Sequence, residues 1–221
     1  MIIKRITKNN KGQSLIELVV AISIILVGVI STLVLTMATI RGGTASEMQT
    51  IAGNLAREGM EVVKQQRYNN WLKIESNSLD FTAWDTGLND VTPSYVYLAR
   101  FNPNVTPASW SLDSNGEDTT ADPCITSERC RIYLENGIYR HKLSGETIDV
   151  TLATPFSRTI IIKSICQKSD GAVENYREEA VCLADEIKVG VQVLINVVWQ
   201  ERGSTNTTNS VTLEDHLYNW K

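Results

Sequence analysis

The stretch KGQSLIELVVAISIILVGVISTLVLTMATI, residues 11–40, carries most of the structural information in this chain of 221 residues. Between Leu15 and Ile40 its only charged side chain is that of Glu17. An apolar helix needs about 20 residues to cross the hydrocarbon core of a bilayer, and this run is longer. A secretory signal peptide has an apolar core of only roughly 7 to 15 residues, followed by a cleavage site with small residues. The stretch therefore predicts a membrane-spanning helix that is not removed as a signal peptide.

The charges on either side of the span predict its orientation. Residues 1–12 contain no acidic side chain and four basic ones, Lys4, Arg5, Lys8 and Lys11. After the span come Arg41 and then charges of both signs. Basic residues that flank a span favour the cytoplasmic side. We therefore expect the N-terminus in the cytoplasm and the chain beyond Arg41 on the outer side of the cytoplasmic membrane.

Glu17 is the unusual residue of this span, because a carboxylate in hydrocarbon costs about 3 kcal/mol on insertion scales and by default marks a function. One interpretation is that Glu17 lies close enough to the helix end to reach the headgroup layer. Its neighbours favour another. The residues Lys11-Gly12-Gln13-Ser14-Leu15-Ile16-Glu17-Leu18, placed between a basic segment and an apolar helix, resemble the processing site of the type IV pilin family.

The resemblance implies a maturation step and a role for Glu17. It implies cleavage by a prepilin peptidase after Gly12 and a new N-terminal amine on Gln13, which is usually methylated in the family. Glu17 would then be the fifth residue of the processed chain and would pair with the N-terminal ammonium of a neighbouring subunit. Such a pair is favourable in hydrocarbon because each charge reduces the desolvation penalty of the other. Gln13 stands where many members have Phe, and no Pro interrupts the apolar helix.

The resemblance predicts a structural subunit of a type IV pilus-like filament, and a minor pilin in particular. The large head and the closing strand, which ends Leu217-Tyr218-Asn219-Trp220, are similar to those of minor pilins. The implied partners are other pilin subunits, the prepilin peptidase and the pilus assembly platform in the cytoplasmic membrane, and the final location is an extracellular filament. A pseudopilin of a type II secretion system stays open as an alternative, as does a membrane-anchored adhesin or receptor head that does not assemble.

Charge and motif content argue against nucleic-acid binding and against catalysis. The chain has 21 basic and 25 acidic residues, a formal charge of -4, and loss of residues 1–12 would remove four basic residues and no acid, giving -8. A surface of that sign repels nucleic acid. The only histidines, His141 and His216, are predicted to lie on the surface, and no nucleophile, phosphate-loop or zinc-protease motif occurs. We predict no enzyme and no cofactor.

A second helical segment follows the span, from Thr44 to Arg67. Its apolar residues recur at helical spacing and form one face: Met48, Ile51, Ala52, Leu55, Ala56, Val62 and Val63. Glu47, Glu58 and Glu61 are among the residues of the opposite, polar face. Such a helix is expected to lie on a globular head. Gly42-Gly43 precedes it and permits a bend, although the two segments could form one long helix.

Strands are predicted to dominate the rest of the chain. Asn136-Gly137 stands between two apolar stretches and is a strong hairpin signal. Further strands are expected at residues 158–166, at 187–199, where apolar residues alternate, and at 211–220. The predicted fold class is α+β, a long N-terminal helix on an antiparallel sheet. The predicted segments are a leader at 1–12, a transmembrane and assembly helix at 13–43, an amphipathic helix at 44–67 and a disulfide-bonded head at 68–221.

The region from Asn69 to Asp122 has little regular pattern, so we predict an irregular connection with one strand near residues 95–101. Four large aromatic residues are expected to anchor it by burying their rings: Trp71, Phe81, Trp84 and Trp110. Recognition of a partner by these rings is the alternative.

Four cysteines follow the span, Cys124, Cys130, Cys166 and Cys182. Outside the cytoplasm an even number of cysteines favours disulfides, and sequence order leaves all three pairings open. Zinc binding is less favoured because the spacings lack the close ligand pairs of structural zinc sites. The segment Asp113–Asp118 groups oxygen ligands around a glycine, but its spacing does not follow the EF-hand pattern. We predict a solvated turn there and no metal site.

Overall fold

The computed structural model describes residues 11–76, 78–88, 96–114, 130–143, 145–168, 176–179, 181–200 and 208–219. The side chains at 11–14, 114 and 176–179 lie outside that description. The chain divides into two compact units, Met1–Met48 and Gln49–Lys221. We call them the anchor unit and the head unit and describe each by itself.

A single helix, α1, runs from Lys11 to Glu75 and contributes to both units. Among the described residues it is the one helix that is long and apolar enough to cross a membrane, judged by length and composition. The helix is continuous through Gly42-Gly43, so the two glycines do not interrupt it. Next to them the Thr44 hydroxyl donates to the carbonyl oxygens of Arg41, at 2.9 Å, and Ile40, at 3.3 Å.

In the head unit α1 buries the face that the sequence pattern predicts. Ala52, Leu55, Ala56 and Val63 are each at most 3% exposed. Their spacing places them along one stripe of the helix. Burial of their apolar surface against the sheet contributes about 25 cal/mol of free energy per Å² removed from water.

The predicted end of this helix at Arg67 is wrong, because α1 continues to Glu75. Two residues of the extra turns have tertiary partners. The Asn70 side chain donates to the Trp84 carbonyl at 3.1 Å and to the Thr86 carbonyl at 2.8 Å, and Trp71 is 7% exposed. These contacts with the following segment stabilise the last turns, and an amphipathic pattern along the helix does not reveal them.

Eight strands form one antiparallel sheet among the described residues. Their bounds are β1 Val96–Asn102, β2 Ser109–Ser114, β3 Arg131–Glu135, β4 Ile138–His141, β5 Ala153–Lys168, β6 Tyr176–Glu179, β7 Glu186–Gln200 and β8 Thr208–Tyr218. Short 3₁₀ helices lie at Phe81–Ala83 and Val150–Leu152. The α+β class predicted from the sequence is confirmed.

The long strand β5 is the centre of the sheet. On one side it pairs along most of its length with β7, which in turn pairs with β8. On the other side it pairs in succession with β3, β1 and β6, and β4 and β2 lie outside β3 and β1. A 16-residue strand can hold three short strands in line on one edge, because each residue of a strand adds about 3.3 Å.

The strand predictions agree with the structure in most places. The segments predicted at residues 158–166 and 187–199 lie inside β5 and β7. The Asn136-Gly137 hairpin joins β3 to β4, with φ of 50° and 81° at its two central residues. The last strand begins earlier than predicted, at Thr208.

Strand β2 was not predicted and lies in the region expected to be irregular. Its sequence, SWSLDS, contains no β-branched residue. Its strand conformation comes from pairing with β1, in a register that places Trp110 opposite Phe101. The two rings are 5.2 Å apart. Tertiary pairing therefore overrides a weak intrinsic preference here.

The core of the head lies between α1 and the β5–β7 pair. Ile160, opposite Ile195, and Ile162, opposite Val193, are completely buried. Gly59 is a point of close approach between the helix and the sheet, since a Cβ atom placed there would lie 3.2 Å from Ile195 Cδ1. The amphipathic half of α1 thus covers the middle of the sheet.

Candidate functional site

The apolar surface of the anchor unit is the most distinctive feature of the chain. The large apolar side chains between Leu15 and Ile40 are all about half exposed or more, as shown by 66% exposure at Leu15 and 68% at Leu35. Apolar surface of this extent is rare on a soluble monomer and marks contact with lipid or with other chains. The apolar surface of the anchor unit is therefore expected to contact lipid or other protein chains.

The hydroxyl groups of this run are bonded to the helix itself. Five side chains donate to carbonyl oxygens three or four residues earlier, at 2.7–2.9 Å: Ser23, Ser31, Thr32, Thr36 and Thr39. Such bonds remove most of the cost of placing a hydroxyl in hydrocarbon. These bonds were not predicted from the sequence, although Ser and Thr within an apolar run are a sufficient signal for them.

Glu17 differs from these hydroxyls. It is the one ionisable residue between Leu15 and Ile40, and its side chain is exposed on the helix. Among the residues whose side chains the structure describes, none forms a hydrogen bond or ion pair with it. Gly12 and Gln13 lie in the first turn of α1, and the Gln13 side chain is outside the described set. The arrangement is a lone carboxylate near the start of an exposed apolar helix.

Residues 7–33 match a family model described as the prokaryotic N-terminal methylation motif. This match and the long apolar helix that contains it are consistent with a type IV prepilin-like protein. The match spans the start of the apolar helix and includes Gly12, Gln13 and Glu17. No curated protein and no solved structure matches the chain.

The motif indicates the type IV pilin and pseudopilin family in general, and hence a structural protein. It indicates contact with other pilin subunits and with a prepilin peptidase, as the resemblance implied. The apolar helix near the N-terminus is consistent with membrane anchoring, as in pilin precursors.

The head unit contains a buried cation that was not predicted from the sequence. Arg158, on β5, is completely buried and donates to Glu58 Oε1 at 2.8 Å, to the Leu55 carbonyl at 2.9 Å and to the Ala99 carbonyl at 3.3 Å. Burial lowers the pKa of Arg158, because the charged form loses its hydration, and the Glu58 carboxylate opposes this effect. Glu58 therefore forms an ion pair with a buried residue of the sheet, although it was predicted only as part of the polar face of the helix.

A second ion cluster joins β3 to the segment after β4. Arg140 is 3% exposed, and its guanidinium donates to Glu135 and Glu146, each at 2.8 Å or less. These hydrogen bonds raise the pKa of Arg140, and the bonds that Arg140 donates to Glu146 have the largest effect. In return Arg140 lowers the pKa of Glu146, and the Leu143 N–H contributes to the same shift. The cluster connects β3, β4 and the segment after β4, and thereby stabilises the hairpin.

The prediction that both histidines lie on the surface is correct for His216 and wrong for His141. His216 has a partly exposed side chain, 3.4 Å from Glu214. His141 is completely buried at the end of β4. A histidine between Arg140 and Lys142 resembles a surface residue in sequence, and only the folded chain reveals its burial.

The cysteines form disulfides in the part of the chain that the structure describes. Cys166 is bonded to Cys182, with 16 residues of sequence separation. Cys130 is also disulfide-bonded, while Cys124 lies outside the described residues. Cys166, Cys182 and Glu186 come within 4.8 Å of one another. The two sulfur atoms are already bonded to each other, so they do not act as the thiolate ligands that zinc requires.

The predicted aromatic anchors are partly confirmed. Trp71 and Trp84 are buried, at 7% and 3% exposure. Phe81 is half exposed but lies edge-on to Trp71 at 5.5 Å. Trp110 is partly buried, and its ring lies 5.9 Å from the Arg158 guanidinium. The rings hold the connecting region onto the head.

The oxygen-rich segment Asp113–Asp118 lies mostly outside the described residues. Of its side chains only that of Asp113 is described, and it pairs with Arg100 at 3.1 Å.

Proposed function

We propose that this prepilin-like protein is a minor pilin, a low-abundance structural subunit of a type IV pilus-like filament. Its leader, residues 1–12, is removed by prepilin peptidase after Gly12 on the cytoplasmic side, and the new amine of Gln13 is methylated. The assembly platform in the membrane then transfers the subunit into a filament. Residues 13–43 serve as the transmembrane and assembly helix, and the later part of α1, which continues to Glu75, packs on the sheet of the head.

One observation carries the proposal. The anchor unit exposes apolar side chains over about seven turns of helix, and Glu17 is the only ionisable residue among them. Lipid satisfies the apolar surface but not the carboxylate. A packed bundle of such helices satisfies both if a cation comes close to Glu17.

The amine of a processed neighbour is the cation that the sequence supplies. Between Leu15 and Ile40 the chain has no Lys, Arg or His. An ammonium at Gln13 of an adjacent subunit would reduce the desolvation penalty of Glu17, and Glu17 would reduce that of the ammonium. Assembly would therefore depend on both cleavage after Gly12 and ionisation of Glu17.

The head supports an extracellular location. Disulfides persist in oxidising compartments and are rare in the cytoplasm, and the Cys166–Cys182 bond lies in the head. The minor role is proposed because the head is large, with the head unit spanning Gln49–Lys221.

The first test determines the N-terminus of the protein by mass spectrometry in membranes and in sheared surface material. We expect a chain that begins at methylated Gln13, and loss of this form in Gly12→Ala. Gly28→Ala is the matched control, because a Cβ atom at Gly28 meets nothing within 4 Å, and it should be processed normally. A chain that begins at Met1 in every fraction would overturn the proposal.

The second test separates assembly from anchoring. Glu17→Gln should leave the protein in the membrane but lower its amount in sheared filaments at least about tenfold. The reason is that a neutral amide does not form an ion pair with an ammonium. Glu47→Gln, on the same helix beyond the apolar run, should assemble normally. Assembly of both variants at the normal level would favour a membrane-anchored receptor head. Dependence on type II secretion genes instead of pilus genes would identify a pseudopilin.

A further inference from the structure

The outer edge of the sheet is formed by β8, which pairs with β7 alone among the strands that the structure describes. The register places Tyr218 opposite Gly190, and the Asn219 N–H donates to the Val189 carbonyl at 2.8 Å. In an antiparallel ladder, alternate residues turn both backbone groups toward the same neighbour. The odd-numbered residues of β8 therefore bond to β7, and the even-numbered ones turn their N–H and C=O groups outward.

Near the end of β8 these outward groups already have partners. The His216 N–H donates to the carboxylate of Asp215 at 2.9 Å. The Tyr218 carbonyl accepts a long hydrogen bond, 3.5 Å, from Arg67 of α1. No described group bonds to the outward N–H or C=O of the even-numbered residues from Ser210 to Glu214. We call the outer side of residues 210–214 the open edge.

A pocket of about 150 Å³ adjoins the open edge, between α1 and β8. Met60 and Leu213 provide its apolar wall. The other lining residues are charged: Arg57, Glu61, Lys64, Glu214 and Asp215. A cavity of about 150 Å³ accepts a group the size of benzene, so this pocket has room for one side chain.

The charges around the pocket favour one type of partner side chain. Lys64 lies between Asp215, at 3.1 Å, and Glu61, at 3.8 Å, so its charge is already compensated. The Glu61 and Glu214 side chains are 73% and 49% exposed on the rim. The lining has three acids against two bases, Arg57 and Lys64, so its net charge is -1, and the Gln192 amide donates to Glu214 at 2.8 Å. An apolar wall with a net negative rim suits a side chain with an aliphatic stem and a cationic end, which is Lys or Arg.

We propose that the open edge binds an extended basic segment of a partner protein by strand addition, with a Lys or Arg side chain of that segment in the pocket. An extended peptide offers donors and acceptors at the spacing of the open edge, and alternate side chains then reach pockets beside it. This inference concerns the head and does not depend on filament assembly, so its failure would leave the proposed function unaffected.

The test uses the full chain in detergent and fluorescently labelled peptides of sequence TVTKTVT and TVTETVT. Anisotropy should show that the Lys peptide binds at least about tenfold more tightly than the Glu peptide. A Lys peptide that is N-methylated at alternate residues should also lose about tenfold, because strand addition needs its N–H groups. The Glu61→Lys, Glu214→Lys double variant should reverse the charge preference.

A proline substitution tests the edge itself. Thr212→Pro removes one outward N–H and keeps the bonds of the odd-numbered residues to β7, as proline on an edge strand allows. It should lose Lys-peptide binding by about tenfold, whereas Thr212→Ala, which keeps the N–H, should bind normally. Circular dichroism and retention of the Cys166–Cys182 bond check that both variants fold.

Three results would overturn the inference. Absence of binding to the unmodified protein would mean that the edge is covered or inert. Equal binding by the Thr212→Pro and Thr212→Ala variants would mean attraction by charge alone. Equal binding of the N-methylated and unmodified Lys peptides would also mean attraction by charge alone. This comparison uses the unmodified protein, so it tests strand addition even if the proline variant does not fold.

Discussion

The Arg158 guanidinium lies 2.8 Å from the Glu58 carboxylate, and this pair connects the centre of β5 to α1. Arg158 is completely buried, and Glu58 is about one-third exposed. A buried ion pair contributes less to net stability than its Coulomb energy suggests, but loss of one partner is costly because the other charge stays buried. The pair therefore penalises any other register of the helix on the sheet.

The first prediction concerns this pair. Glu58→Ala should lower the free energy of unfolding of the head by about 2 kcal/mol, below the 3 to 5 kcal/mol typical of a fully buried pair because Glu58 is partly exposed. Denaturant unfolding of the full chain in detergent, followed by tryptophan fluorescence, measures the change. Glu61→Ala on the same helix is the control and should change stability by less than about 0.5 kcal/mol. Equal effects of the two variants would contradict a special role of the pair.

The second prediction compares two glycines of α1. A Cβ atom at Gly59 would lie 3.2 Å from Ile195 Cδ1 and 3.3 Å from Arg158 Cδ, whereas one at Gly53 meets nothing within 4 Å. Alanine gains about 1 kcal/mol of helix propensity at either position, and overpacking at Gly59 costs about 1 to 3 kcal/mol.

Gly59→Ala should therefore lower the unfolding free energy by about 1 kcal/mol, and Gly53→Ala should raise it by about 0.5 to 1 kcal/mol. The same unfolding assay measures both. A stabilising effect at Gly59 would show that the helix can move away from the sheet at little cost.

The third prediction is a pH dependence that arises from the Arg140 cluster. Arg140 lowers the pKa of Glu146, so the folded state favours the ionised carboxylate. The resulting stability is present above the unfolded-state pKa of about 4.3 and is lost as the pH falls through the lower pKa of the folded state. Unfolding free energy should therefore decrease on acidification more steeply in the unmodified protein than in Glu146→Gln.

At neutral pH Glu146→Gln should be less stable by about 1 kcal/mol, because a charged hydrogen bond to Arg140 is replaced by a neutral one. The measurement is a series of denaturant titrations from about pH 7 to pH 3. Parallel pH profiles for the two proteins would rule out Glu146 as a source of acid sensitivity.

The fourth prediction concerns the disulfide. Replacement of both Cys166 and Cys182 by Ala should lower the unfolding free energy by about 3 kcal/mol, as the chain-entropy model gives for a loop of this length. The midpoint of thermal unfolding should fall accordingly. If the midpoint is unchanged, the segment between the two cysteines would already be ordered without the bond.

Features that depend on neighbouring residues could be predicted from the sequence. The apolar run from Leu15 to Ile40 indicates a membrane helix because hydrocarbon imposes the same requirement on every residue of a span. The alternation of apolar residues in β7 and the Asn136-Gly137 turn are equally local, because strand faces and turn conformations depend on residues close in sequence. The motif that contains Gly12 and Glu17 is also a local pattern.

Features that depend on distant residues required the folded chain. The helix continues to Glu75 because Asn70 reaches the carbonyls of Trp84 and Thr86, and β2 exists because β1 lies beside it. The burial of His141 and the pairing of Cys166 with Cys182 belong to the same group.

Arg158 shows the difference most clearly. Its neighbours in sequence do not distinguish it from an exposed strand arginine, and its pairing with Glu58 spans 100 residues. The cost of burying a charge is offset only by partners from α1 and β1, so its role became visible only in the three-dimensional arrangement. Local chemistry was enough to predict the anchor, the fold class and the processing motif, whereas packing between distant segments determined the buried charges and the outer edge of the sheet.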